Sequence, residues 1–326
     1  MRRLAFRDER WPLRDAFVIS RGAKTEAHVV VAEIGEGDHV GRGEAVPYAR
    51  YGEDVDGVLA EIAAVRAAIE TGASRPVLQG LMPAGAARNA LDCALWDLEA
   101  KQAGARAWTL AGRERLDPVK TCYTLSLDTP EAMAEAARLH ARRPMLKLKI
   151  GGPDDLDRVA AVRRAAPRTR LIVDANEALG FDDLTRLAPE FARLDVQLVE
   201  QPLPAGEDAA LEGWASPVPL CADESLHTRA ELADCARRYA YVNIKLDKAG
   251  GLTEALALAA EARAQGLEVM VGCMVATSLA IAPALLVAQG ARVVDLDGPL
   301  LLARDREPGL PISGSLIEPP PPALWG

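Results

Sequence analysis

Eight short apolar runs, recurring at a step of about 25 residues, constrain this chain more than any other feature. They cover residues 119–125, 145–150, 170–174, 197–200, 219–223, 241–245, 268–273 and 293–297. Most are separated by a stretch of helical periodicity. Thr129-Pro130 opens one such stretch as an N-cap followed by Pro at the first helical position, and Thr253 reads as the cap of another. Strands alternating with helices in this way predict an α/β protein, a (β/α)8-type barrel. An open doubly wound sheet also alternates, but it usually carries a glycine fingerprint after its first strand. Here, instead, polar residues stand at the C-terminal ends of successive strands, where a barrel keeps its active site.

The first hundred or so residues have a different texture. Residues 27–34 read as a strand, Gly35-Glu36-Gly37-Asp38 as a turn, and Val40 to Val46 as a returning strand. Gly35, Gly37, Gly41 and Gly43 do not form GxGxxG, and no helix follows directly, so the segment is a hairpin and not a dinucleotide site. Val58, Ile62, Val65 and Ile69 line one face of a helix, and Ala86 to Ala103 reads as a second helix stopped by Gly104. The result is a small α+β unit over residues 1–112, ahead of a barrel over 113–300 and a closing segment over 301–326.

Composition narrows the function classes. With 38 basic and 47 acidic residues the net charge is -9, which argues against a nucleic-acid partner. No run approaches the roughly 20 apolar residues of a membrane helix. Met1-Arg2-Arg3 starts like a signal peptide, but Arg7, Asp8, Glu9 and Arg10 interrupt any apolar core, so a cytoplasmic protein is expected. The five cysteines form no CxxC or Cys/His cluster and read as reduced, mostly buried thiols. The sequence is compatible with a homo-oligomer.

The chemistry lies at the strand ends. Asp174, Glu200 and Asp223 close three consecutive strands, one βα unit apart. Neighbouring strands lie about 4.8 Å apart, so the three carboxylates converge and repel unless a cation sits among them. Oxygen-only donors favour a hard ion such as Mg²⁺. Lys147 and Lys149 point to one side of their strand, and Lys245 approaches from across the mouth. Two ammonium groups on one side, near a metal ion, predict a depressed lysine pKa, suited to a base. Lys120 and Lys248 read as surface lysines. Two amines on opposite sides of a metal suit removal of a proton α to a carboxylate and its return on the other face.

These motifs resemble the muconate-lactonising subgroup of the enolase superfamily, carried by Lys147-Leu148-Lys149, the three acids and Lys245. Residues 19–26, residues 44–52, Glu200-Gln201-Pro202-Leu203-Pro204, residues 243–251 and Asp295-Leu296-Asp297-Gly298-Pro299 narrow the resemblance to the dipeptide epimerases. The resemblance implies an N-terminal α+β capping domain over a TIM-type (β/α)7β barrel, with the C-terminal segment returning to the cap. It implies Mg²⁺ on Asp174, Glu200 and Asp223, and acid/base lysines at Lys149 and Lys245. Lys147 would assist at the substrate carboxylate. Asp295 and Asp297 would hold the ammonium of a dipeptide, and Lys24 would meet the side-chain carboxylate of its Glu. A strand-seven Glu common in the subgroup is absent after Gly272-Cys273-Met274-Val275. The alternatives are another enzyme of the subgroup, such as o-succinylbenzoate synthase or an N-acyl amino acid racemase. Those substrates carry no ammonium, and the Asp295/Asp297 pair would then be unneeded charge.

Overall fold

The computed structural model describes residues 2–326. Its first sheet is antiparallel and three-stranded, with β1 (Arg3–Ile19), β2 (Gly22–Glu36) and β3 (His39–Ala45) in that order. The expected β2–β3 hairpin is present, turning at Gly37 with φ +60. β1 has no counterpart in the sequence reading. Its middle carries the charged run Arg7-Asp8-Glu9-Arg10, and it is stabilised by pairing with β2 and by ion pairs such as Arg7–Glu33 and Arg10–Glu26. Nothing in its local pattern alternates apolar with polar, so only the pairing reveals it.

Helix Ala86–Gln102 packs on this sheet and is buried along most of its length. Gly41 and Gly43 explain themselves here: an added Cβ would collide with the carbonyl oxygens of Ala94 and Ala90. The strand approaches the helix backbone to backbone, and no other residue leaves room. The single helix expected through Val58 and Ile69 is broken at Val65 into Val55–Ala64 and Arg66–Glu70, with Val58, Ile62 and Ile69 still buried.

The barrel follows. β4 (Val119–Lys120) leaves to pair with β14 (Leu316–Ile317), itself paired with β13 (Ile312–Ser313). The eight parallel strands are β5 (Tyr123–Leu125), β6 (Met145–Lys149), β7 (Arg170–Asp174), β8 (Val196–Glu200), β9 (Leu220–Ala222), β10 (Tyr241–Ile244), β11 (Glu268–Gly272) and β12 (Val293–Asp295). They run in sequence order, and the ring closes where Cys122 N donates to Val294 O at 2.9 Å. Helices cover the outside, except after β8, where only a 3-10 turn (Asp208–Leu211) intervenes. Thr129 caps its helix through Ala132 N, with Pro130 next. Thr253 does not cap: Gly251, at φ 117, holds that position, and the Thr253 hydroxyl donates to Asp92 on the cap helix. A tertiary partner outcompetes the local one.

The end of the chain returns to the cap. Trp325 is buried with Nε1 donating to Cys93 O, and Gly326 N donates to Asp97 Oδ1 at 2.7 Å. All five cysteines are unpaired. Among the described residues no helix is long and apolar enough to cross a membrane.

Candidate active site

Side chains alternate across a strand, so every second residue of β5–β12 points into the barrel. The lower inward layer is an apolar plug of Cys122, Met145, Ile172, Leu198, Cys221, Met270 and Val293. Asn243, buried and polar, takes the place of β10 in that layer. Two residues further along the eight strands stand Thr124, Lys147, Asp174, Glu200, Asp223, Lys245, Gly272 and Asp295. The plug closes the barrel from below, and the charged layer faces a cavity of about 1160 Å³. The cap roofs it with Ile19, Arg21, Lys24, Tyr48 and Tyr51.

All the predicted barrel residues meet there. Lys147, only 2% exposed, places Nζ 2.9 Å from Asp174 Oδ2, 2.7 Å from Glu200 Oε2 and 2.7 Å from Asp295 Oδ2. Lys149 Nζ donates to Asp174 Oδ2 at 2.6 Å and to Asn176 Oδ1 at 3.0 Å. Lys245 Nζ donates to Asp223 Oδ2 at 2.7 Å. Gln201 steadies the third acid from behind, its Oε1 accepting from the backbone N–H groups of Asp223 and Ser225.

The acids of the layer dominate its electrostatics. Burial works against the Lys147 ammonium, but Asp174, Asp295 and Glu200 outweigh it and hold its pKa well above the ordinary lysine value. Lys245 is likewise raised, against burial, by Asp223 and then Glu200. The acids outnumber the ammonium groups around these two amines. Burial and then Asp174 push Glu200 up to about 7. Asp174 is held low despite its burial by Lys147 and Lys149.

The acids fit a hard cation. Their donors are all oxygen, and Asp174 and Glu200 already converge on one positive charge. Glu200 Oε2 is buried with no donor aimed at it, although Lys147 Nζ is close. A cation coordinated there would satisfy that oxygen.

Asp295 and Asp297 share a face but not a state. Asp295 is paired with Lys147 and accepts from Cys122 Sγ at 2.8 Å, and its pKa is held low against burial. Asp297 accepts from Thr124 N at 2.6 Å, and burial with Asp295 beside it pushes it up to about 7. Asp297 does not cap the turn after it with its side chain. Lys24 is exposed at the cavity mouth, its Nζ 5.0 Å from the centre of the Tyr48 ring.

Several residues of the site escaped sequence reasoning. Lys248 is not a surface lysine: it is 2% exposed, with Nζ 2.5 Å from Asp223 Oδ1. The helical turn Leu246–Ala249 folds it back under the strand end, which no strand periodicity shows. Asn176, Glu224 and Arg21 form a bonded group beside Lys149. Continuing the two-residue period past the end of β7 would have pointed to Asn176. Nothing local marks Arg21.

A capped barrel with three strand-end acids between two amines defines a class of metal-assisted proton-transfer enzymes. Residues 131–305 match the enolase C-terminal domain-like family, and residues 1–112 match the N-terminal domain of mandelate racemase / muconate lactonizing enzyme. The chain belongs to that family, within the enolase superfamily.

Among curated relatives, the chain is 48% identical over 312 residues to an L-Ala-D/L-Glu epimerase of Escherichia coli, covering 95% of this chain and 97% of that one. It is 44% identical over 302 residues to an N-acetyl-D-glutamate racemase of Pseudoalteromonas, covering 91% and 95%. A solved enolase family member from Agrobacterium tumefaciens, described as homologous to dipeptide epimerases and bound to sodium and L-Ala-L-Glu, superposes with TM-score 0.98. It is 51% identical, with both chains fully covered. A dipeptide epimerase from Methylococcus capsulatus, complexed with Mg and L-Arg-D-Lys, superposes with TM-score 0.90 at 30% identity, covering 97% and 96%.

Proposed function

We propose that this chain is a Mg²⁺-dependent dipeptide epimerase that inverts the α-carbon of the Glu residue in L-Ala-D/L-Glu. The observation that carries the reading is the placement of Lys149 and Lys245 on either side of Asp174, Glu200 and Asp223. The enzyme is an isomerase, and Mg²⁺ is its cofactor. Asp174, Glu200 and Asp223 would hold the ion, which supplies positive charge where the substrate carboxylate gathers negative charge.

The residues of the chain do the rest. One lysine takes the α-hydrogen as a proton, and the C–H electron pair moves into the carboxylate to give an enediolate. The opposite lysine returns a proton to the other face, and the configuration inverts. Lys149 serves the face of the L isomer and Lys245 that of the D isomer. Lys147 neutralises the acids and lies within reach of a substrate carboxylate. Asp297 is the unpaired acceptor for the dipeptide ammonium, and Lys24 at the mouth meets the side-chain carboxylate. Cytoplasmic residence is part of this reading, in keeping with five unpaired thiols.

A second reading has a specific observation behind it, the identity to an N-acetyl-D-glutamate racemase. An N-acylated substrate has no ammonium for Asp297, which favours the dipeptide. The test is incubation of a dipeptide set and N-acetyl-glutamate in D₂O with Mg²⁺, followed by mass spectrometry. Deuterium enters Ala-Glu fastest and stops on chelation. Faster exchange into N-acetyl-glutamate overturns the substrate, and full activity without metal overturns the mechanism.

A further inference from the structure

We infer that Arg21, on the turn between β1 and β2, is a positioning residue for Lys149, acting through Glu224 and Asn176. The inference rests on the epimerase reading above and adds that one of the two bases is aimed by the cap. The contacts form an unbroken chain. Arg21 Nη2 donates to Glu224 Oε1 at 2.7 Å, and Asn176 Nδ2 donates to the same oxygen at 3.3 Å. Asn176 Oδ1 then accepts from Lys149 Nζ at 3.0 Å.

The backbone repeats the connection. Asn176 and Glu177 sit at φ 42 and φ 70, in the left-handed region that residues other than glycine occupy only when their surroundings hold them there. The cap does much of the holding. Arg21 Nη1 donates to Asn176 O at 2.9 Å and to Glu177 Oε2 at 3.1 Å. Arg50 clamps the Glu177 carboxylate through two bonds of 2.7 and 2.6 Å. Glu224 is buried, and Arg21 is the cation paired with it.

Asp174, the other partner of Lys149, is committed to the metal site. Asn176 Oδ1 is then the acceptor that takes one N–H of the amine and so directs its lone pair. Lys245 has no such chain: its hydrogen-bond partner is Asp223, inside the barrel. Arg21 therefore acts on one face of the α-carbon.

The test uses Arg21→Met, Asn176→Ala and Glu224→Gln in D₂O with Mg²⁺, each given L-Ala-L-Glu and L-Ala-D-Glu separately. The readout is the ratio of deuterium in unreacted substrate to inversion. With L-Ala-D-Glu, Lys245 still removes and returns hydrogen on its own face while delivery from Lys149 fails. Exchange relative to inversion therefore rises at least several-fold. With L-Ala-L-Glu, exchange and inversion fall together. The pattern copies that of Lys149→Ala, and Arg21→Lys restores it in part because one charged contact to Glu224 survives. A ratio unchanged in Arg21→Met and Glu224→Gln, or shifted on the opposite substrate from Lys149→Ala, overturns the inference. If the unaltered protein exchanges no dipeptide at all, the epimerase reading itself fails. Normal exchange by the unaltered protein with a constant ratio in the variants defeats only the role of Arg21.

Discussion

The two flanks of the charged layer place their lysines by different means. On the β6–β7 side, Lys149 is tied to Asn176, and through Glu224 and Arg21 to the cap. On the β9–β10 side, Lys245 is enclosed by the barrel. Its amine meets Asp223, and its stem lies against the space that Gly272 leaves free. One base is held through a contact from the cap, the other by an acid and packing of the barrel itself. A pair of opposed groups can thus be chemically alike and mechanically distinct.

The largest effects come from removing each lysine. Lys149→Ala and Lys245→Ala each cut epimerisation by about 10²–10⁴-fold, the contribution of proton transfer by a positioned side chain, because inversion needs both. They part on α-exchange: Lys149→Ala keeps exchange with L-Ala-D-Glu, and Lys245→Ala keeps it with L-Ala-L-Glu. NMR of the α-proton in D₂O reads this directly. Either variant inverting at the normal rate breaks the two-base comparison.

Gly272→Ala probes the packed flank, through Lys245 and through Asn243, whose amide donates to Glu200 at 2.8 Å. A Cβ there would stand 2.7 Å from Asn243 Oδ1 and 3.0 Å from Lys245 Cε. Displacing the amine by up to an ångström should lower kcat by about 100-fold. Exchange on the Lys245 face falls first, and thermal unfolding shows whether the fold is spared. An unchanged kcat would mean that Lys245 is not held by this packing.

Asp297 lies between the flanks, and its effect is on binding. Losing one partner of a buried charged hydrogen bond costs about 2–5 kcal/mol, so Asp297→Asn should raise KM for L-Ala-L-Glu by at least about 30-fold. The N-acetylated dipeptide should lose little. Equal losses for both would detach Asp297 from the ammonium.

The smallest effect is on stability against pH. The Asp297 carboxyl is pushed up to about 7 in the fold, against about 3.9 in an unfolded chain. Between those values the folded state binds more protons, so stability from this group declines as pH rises through the window. Asp297→Asn should therefore unfold at a higher temperature than the unaltered protein at pH 8, with the gap narrowed at pH 5. Free dipeptide narrows the gap at pH 8 as well, since its ammonium favours the ionised acid. A gap independent of pH would show that Asp297 does not titrate there.

Much of this was legible before any coordinates. Periodicity and strand-end chemistry are local, and they sufficed for the eight barrel strands, for the inward alternation behind Lys147 and Lys149, and for the placement of Asp174, Glu200 and Asp223 at successive strand ends. Family resemblance carried Asp295, Asp297 and Lys24. What tertiary structure alone decided is non-local. β1 exists because β2 pairs with it, and Thr253 forsakes a cap for Asp92. Lys248 is buried because a helical turn folds it under Asp223, and Lys147 and Lys245 are raised because acids from other strands surround them. Arg21 reaches Glu224 across 203 residues of chain. Backbone periodicity is written in neighbouring residues, whereas burial, charge balance and the aim of an amine depend on groups that only folding brings within a few ångströms.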